Sequence, residues 1–269
     1  RLYEAGKMQF LRRVATTEAP ALNKRSDFFE LPVARFDYIG FGPELKDQQD
    51  LRKAFAYSLN YAELKSLLNS KESPGCPALP KRWLKDIPCL KFDLAKAKEH
   101  WNRVPEKLRN RKFILGFSKM GGDGVQQGME WMQHQWKKNL GANIELQSME
   151  NGVYINQLKT HPPDLFRKGV GLERPTCLAG LEIFDPKDRE NYIRLNDPTY
   201  NSLLHQIKFA KTEGLKKQLC SKASARLIDA PFLIPLGEMY FGMMARPEFK
   251  GWWLNEINQL DLTDLIYKP

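Results

Sequence analysis

Residues 111–149 constrain this chain most. "RKFILGFS" (111–118) is an apolar run of strand length and "MGGDG" reads as a turn, with Asp123 as a helix cap. "VQQGMEWMQHQWKKNLG" then carries Val125, Met129, Met132, Trp136 and Leu140 along one helical stripe, stopped by Gly141. "NIELQSM" (143–149) reads as a second strand. Strand, helix and strand in that order form a βαβ unit, which implies parallel pairing and a right-handed crossover. A further helix, "NGVYINQLKT", leads into "DLFRKGVGL" as a third strand. The alternation β-α-β-α-β predicts an open α/β sheet flanked by helices.

The flanking segments supply more of both element types. "PVARFDYIGF" alternates with period two and reads as a strand. "DQQDLRKAFAYSLNYAEL" is a helix with Asp47 as its expected N-cap and Leu51, Phe55 and Leu59 on one face. Asp93 caps the short helix "LAKAKEHW". Two longer helices follow the third strand, "DPTYNSLLHQIKFA" and "EGLKKQLCSKASARLID", the second burying Leu215, Leu219, Ala223 and Leu227. "APFLIPLGEMYFGMMA" is broken by Pro231, Pro235 and Glu238 and reads as buried strand, its methionines as core filler. Trp252-Trp253 places one ring inward and one outward.

A net charge of +10 raises the question of nucleic acid. The basic residues argue against it, since they come as scattered pairs such as Arg12-Arg13 and Lys137-Lys138 with acids between them. No nucleic-acid partner is expected. His100, His134, His161 and His205 are isolated, so no metal site is expected either. The chain shows no GxSxG elbow, no HExxH and no local Cys-His signature, and is not expected to be an enzyme. Cys76 and Cys89 flank the Pro-rich loop "CPALPKRWLKDIPC". They are either a disulfide of an oxidising compartment or two separate loop thiols.

The third strand ends unusually. "GVG" at 169–171 offers small residues along which a ligand can approach the backbone, and Glu173 and Arg174 follow at once. In open α/β sheets ligands sit beyond the carboxyl ends of the strands. Gly171, Glu173 and Arg174 are therefore candidate binding residues. Glu173 either holds a cationic group of a ligand or pairs with Arg174 or Arg167.

Taken in order, "LYEAGKMQF", "FDYIGF", "DQQDLRKAFAYSLNYAEL", "FDLAKAKEHW", "WKKNLGANIELQ", "LFRKGVGLERPTCL", "LNDPTYNSLLHQ" and "APFLIPLGEMYF" resemble the C-terminal part of family 5 extracytoplasmic solute-binding proteins, the peptide-binding components of ABC transporters. The resemblance implies a periplasmic-binding-protein-like (type II) lobe, part of a two-lobed clamshell. Residues 45–236 would form the C-terminal α/β lobe, with 1–44 and 237–269 belonging to the first lobe, whose remainder would precede Arg1. It implies a peptide or similar solute as ligand, an ABC permease as partner, no cofactor, and a periplasmic or lipid-anchored extracytoplasmic location. The family's ammonium-binding Asp falls at Glu173, while Val170 stands where the family has Trp and Gly42 where it usually has Asn. The resemblance adds Arg167 as a candidate binding residue, which matches a family Arg near the site and either meets a ligand carboxylate or stabilises the lobe. A second possibility is the ligand-sensing domain of a transcriptional regulator with an N-terminal helix-turn-helix.

Overall fold

The computed structural model describes residues 2–14, 18–68, 70–71, 73–77, 79–85 and 88–269. Strand β1 (Phe10–Val14), helix α1 (Ala19–Leu22) and the long strand β2 (Phe28–Phe41) open the chain. Helices α2 (Gln49–Tyr57), α3 (Tyr61–Leu67), α4 (Leu94–Arg103) and α5 (Glu106–Arg109) precede β3 (Lys112–Ser118). Then come α6 (Asp123–Leu140), β4 (Asn143–Met149), α7 (Asn151–Thr160) and β5 (Leu165–Gly171). Helices α8 (Cys177–Glu182), α9 (Pro198–Lys208) and α10 (Glu213–Asp229) lead to the second long strand, β6 (Leu233–Ala245). A tail of short strands, β7 (Phe249–Lys250), β8 (Trp253–Leu254), β9 (Leu260–Asp261) and β10 (Ile266–Tyr267), closes the molecule.

Six of these strands form one mixed sheet in the order β1-β6-β2-β5-β3-β4. β3 pairs in parallel with both β4 and β5, as the βαβαβ pattern requires, and β2 runs antiparallel to β5 and β6. Asp164 locks the start of β5 to β3: it accepts from the Ile114 backbone N–H at 2.9 Å and pairs with Arg111.

Side chains alternate across the sheet, so each face carries its own core. On one face Phe55 of α2 sits among Phe41, Trp101, Phe113 and Trp136, with ring centroids 5.1–6.4 Å away. The Trp136 indole donates to the Phe55 carbonyl at 3.0 Å, so the largest buried side chain is also satisfied. On the other face Phe36, Tyr38, Phe166 and Val170 pack beneath α8, α9 and α10. Tyr3, Val14 and Met244 make a third, smaller core at the β1 end.

Several local expectations are met. Asp93 caps α4 through the Lys96 N–H, and Gly141 ends α6 with φ 71°. Trp252 turns inward against Phe29 and Phe10, and Trp253 is 53% exposed. Met243 and Met244 are buried in β6. Three details differ. Helix α2 starts at Gln49, so Gln48 and not Asp47 holds the N-cap position, without a side-chain bond. Gly122 precedes α6 with φ 71°, a conformation Asp123 would adopt only under strain, and Asp123 becomes the first helical residue. Leu215 lies in the first turn of α10, short of the packed region, and is 44% exposed.

The α9–α10 pair is tied electrostatically. Asp197 caps α9 through the Tyr200 N–H at 2.8 Å and receives both Nε (3.1 Å) and Nη2 (2.7 Å) of Arg226 from α10. The Arg226 hydrogen bonds hold the Asp197 carboxyl below its ordinary pKa. A lowered pKa contributes stability above the unfolded value near 4 and loses it as pH falls through the folded one. An Asp197→Asn variant should therefore lose about 1 kcal/mol at pH 7, and the difference from the parent should vanish toward pH 2 in parallel urea melts.

Candidate functional site

β5 is the strand on which the site is built. It pairs with β2 along its whole length, from Phe41↔Leu165 to Arg35↔Gly171, and the ladder continues with the Leu172 N–H on the Ala34 carbonyl at 2.8 Å. In an antiparallel ladder, alternate residues turn both backbone groups toward the partner. Residues 168, 170 and 172 therefore bond to β2, while 167, 169 and 171 turn their N–H and C=O groups away from it. On that outer side β3 reaches only as far as Leu115↔Leu165 and Gly116↔Phe166. The Arg167 carbonyl is taken by the Tyr154 hydroxyl at 2.6 Å. Beyond it, the edge of β5 at Gly169 and Gly171 has no strand partner among the described residues.

Gly169 has a second reason to be there, whereas a Cβ on Gly171 would meet open space. Gly169 lies opposite Asp37, and a Cβ on it would come 2.6 Å from Asp37 Oδ1 and collide with the Arg35 guanidinium. Asp37 pairs with Arg167, whose side chain is 8% exposed, and lies 3.8 Å from Arg35 Nε. Burial, and then the like charge of Arg35, pull the Arg167 pKa down. Asp37 Oδ1 is buried and makes no hydrogen bond among the described residues.

A cleft of about 380 Å³ opens past the end of β5. Its walls are Val33, Ala34 and Arg35 of β2, Gly171, Leu172 and Glu173, then Arg13 and Phe241, and residues 256–259 of the tail. The tail is held there by the Ala34 N–H on the Glu256 carbonyl at 2.6 Å and by Arg82, which binds Glu238 at 2.6 Å and Glu256 at 2.9 Å.

The four residues singled out from the sequence separate into two groups. Gly171 and Glu173 line the cleft together. Arg167 lies under it in the buried pair with Asp37, and Arg174 points away, 74% exposed and 3.5 Å from Glu182. Glu173 is exposed and forms no ion pair among the described residues, so neither arginine neutralises it. Sequence reasoning missed Arg13, Arg35 and Asp37. Asp37 left one signal, an acid in the middle of the apolar alternation "ARFDYIGF".

This geometry has relatives. The family described as "Bacterial extracellular solute-binding proteins, family 5 Middle" matches residues 1–191. The chain belongs to family 5 of the bacterial extracellular solute-binding proteins. Among other proteins, this family 5 chain is 25% identical over 261 residues to the oligopeptide-binding protein OppA of Bacillus subtilis, covering 89% of the chain and 46% of OppA. It is 26% identical over 132 residues to the periplasmic murein peptide-binding protein MppA of Escherichia coli, covering 49% of the chain and 25% of MppA. The crystal structure of a periplasmic oligopeptide-binding protein of Borrelia burgdorferi superposes with a TM-score of 0.83 at 21% identity, over 99% of this chain and 55% of that one. The fold is thus periplasmic-binding-protein-like, and this family 5 chain spans less than half the length of the two relatives matched by sequence.

Both cysteine pairs are disulfides: Cys76–Cys89 closes the Pro-rich loop, and Cys177–Cys220 joins α8 to α10. Among the described residues no three His, Cys, Asp or Glu side chains are placed to hold a metal, and no helix is long and apolar enough to cross a membrane.

Proposed function

We propose that this chain is the C-terminal part of the peptide-binding component of an ABC importer, and that it holds an extended peptide against β5. The observation that carries this reading is the edge of β5, whose Gly169 and Gly171 backbone groups are turned outward, without a strand partner among the described residues, just before Glu173. An extended chain laid there adds a strand, with main-chain hydrogen bonds that do not depend on its side chains. Glu173 then receives the peptide's ammonium as a charge-assisted hydrogen bond. The names of the relatives, OppA and MppA, point to the same ligand class.

Residues 45–236 form one lobe in this reading, and 1–44 with 237–269 contribute to the other. The separate small core around Tyr3, Val14 and Met244 supports that division. The register irregularities in the β2–β6 ladder, together with the packing of Phe36, Tyr38 and Phe41 in the cores of the α/β lobe, favour a crossing within β2, earlier than position 45. The permease is the partner, and binding is the chain's task, not turnover. Two disulfides favour an oxidising, extracytoplasmic setting over a cytoplasmic regulator.

In the full-length protein, Glu173→Gln should weaken binding of short alanine peptides by about 1.5–3 kcal/mol, measured by calorimetry. N-acetylated peptides should bind parent and variant alike. Equal affinity of parent and variant for the free-amine peptides would remove Glu173 from this role.

A further inference from the structure

The most exposed aromatic ring among the described residues is Phe209, 70% exposed at the corner where α9 turns into α10. A lone exposed phenylalanine is ordinary. This one is held out by a fixed turn. The Phe209 N–H donates to the Gln206 carbonyl and the Ala210 N–H to the Ile207 carbonyl, both at 3.3 Å. Thr212 caps α10 by accepting from the Leu215 N–H at 3.2 Å. Ile207 and Ala210, before and after the ring, pack into the core beneath α8, α9 and α10, which turns Phe209 outward. The His205 ring, one helical turn earlier, braces it with centroids 4.8 Å apart. Leu215, 44% exposed, adds a second apolar side chain in the first turn of α10.

The charges at this corner are mostly of one sign. Between positions 208 and 217 stand Lys208, Lys211, Lys216 and Lys217, against the single acid Glu213. Lys216 lies 3.8 Å from Glu213, whose side chain is 92% exposed. Lys208 lies 3.0 Å from Glu182 of α8, which Arg174 also approaches at 3.5 Å. Lys211 and Lys217 form no ion pair among the described residues. An apolar ring among ammonium groups complements an anionic bilayer surface. The ring enters the headgroup region, and the lysine stems let their charges stay level with the phosphates. Residues 205–217 contain no arginine, the side chain suited to one fixed carboxylate. Point charges on flexible stems suit a fluid array of phosphates instead.

We propose that the α9–α10 corner is a docking surface for an anionic phospholipid bilayer, with Phe209 entering the interface and Lys208, Lys211 and Lys216 meeting lipid phosphates. No residue of α9 or α10 lines the cleft, so the surface is separate from the ligand site. The contact is peripheral: one ring and a few lysines hold a protein at a membrane reversibly and fix which way it faces. The proposal does not depend on the peptide reading.

The test uses the full-length protein, free of covalent lipid, in co-sedimentation with vesicles at low salt. Vesicles of phosphatidylglycerol and phosphatidylcholine in equal parts should bind it at least about 10-fold more tightly than pure phosphatidylcholine. Phe209→Ser should weaken binding to the mixed vesicles about 5-fold, and Lys211→Gln by about the same factor. Both side chains are exposed, so neither change should move the urea midpoint. Lys137→Gln removes an exposed lysine from α6, which packs on the opposite face of the sheet, and should leave vesicle binding unchanged. Mixed vesicles should also slow hydrogen exchange at residues 205–217 and leave α6 as it was. Equal binding to both kinds of vesicle, or to neither, overturns the proposal. So does a Lys137→Gln loss as large as that of Lys211→Gln, or full binding by Phe209→Ser, since either means that the net charge of +10 adsorbs the protein without a defined surface.

Discussion

Replacing Arg167 with methionine should lower the unfolding free energy by about 3–5 kcal/mol in urea melts at neutral pH. Methionine fills much of the same volume, so the loss is electrostatic more than steric. The parent pair is buried, with side-chain exposures of 8% and 10%. Removing the guanidinium leaves the Asp37 carboxylate charged, dry and facing Arg35 only at 3.8 Å. Asp37 Oδ1 already has no hydrogen-bond donor among the described residues, so the site has none in reserve. The double variant Asp37→Leu/Arg167→Met removes both charges and should recover most of the loss, since a buried pair often contributes little over an apolar one. A single variant that costs less than about 1 kcal/mol would show that water reaches Asp37 and that the pair is not a buried one.

That pair also shows where sequence reading stops. β3, α6, β4, α7 and β5 were legible because each rests on a local period, of two or of 3.6 residues, bounded by turn residues. Gly141 and Asp93 were legible because capping is local too. Nothing local joins Arg167 to Asp37, which lies 130 positions earlier, on an antiparallel neighbour rather than on either parallel strand of the βαβ unit. The sequence put Arg167 beside Glu173 because they are near in the chain. Position along β5 separates them: Arg167 lies within the strand, in the buried pair with Asp37, while Glu173 lies beyond its end at the wall of the cleft. Gly171 and Glu173 were found for a sound reason, namely that strand ends in open α/β sheets face the crevice. Arg13 was not found, because a bulge and a positive φ leave no mark in a single sequence when the residue is an arginine.

The Cys177–Cys220 bond is a second long-range feature, and its removal should be nearly as costly. The two Cα atoms are 6.3 Å apart, within the usual span of a disulfide, and 43 positions separate them in the chain. Closing a loop of that length removes enough freedom from the unfolded chain to be worth about 4 kcal/mol, against about 3 kcal/mol for the shorter Cys76–Cys89 loop. A Cys177→Ala/Cys220→Ala protein should therefore lose about 4 kcal/mol in denaturant melts, and the corresponding Cys76/Cys89 double variant about 3 kcal/mol. The longer bond has a further consequence because of where it lies. Cys177 is the first residue of α8, four positions after Glu173, and Cys220 is fully buried in α10. The bond thus anchors the end of the segment that presents Glu173 to the cleft. Losing it should weaken binding of the free-amine peptides more than losing Cys76–Cys89 does, although both variants remain folded at low temperature. Peptide mapping without reductant is the direct check. Free thiols at Cys177 and Cys220 in protein isolated from an oxidising compartment would sink the argument. A bonded pair whose removal leaves the melt unchanged would instead mean that the unfolded chain is already compact between those positions.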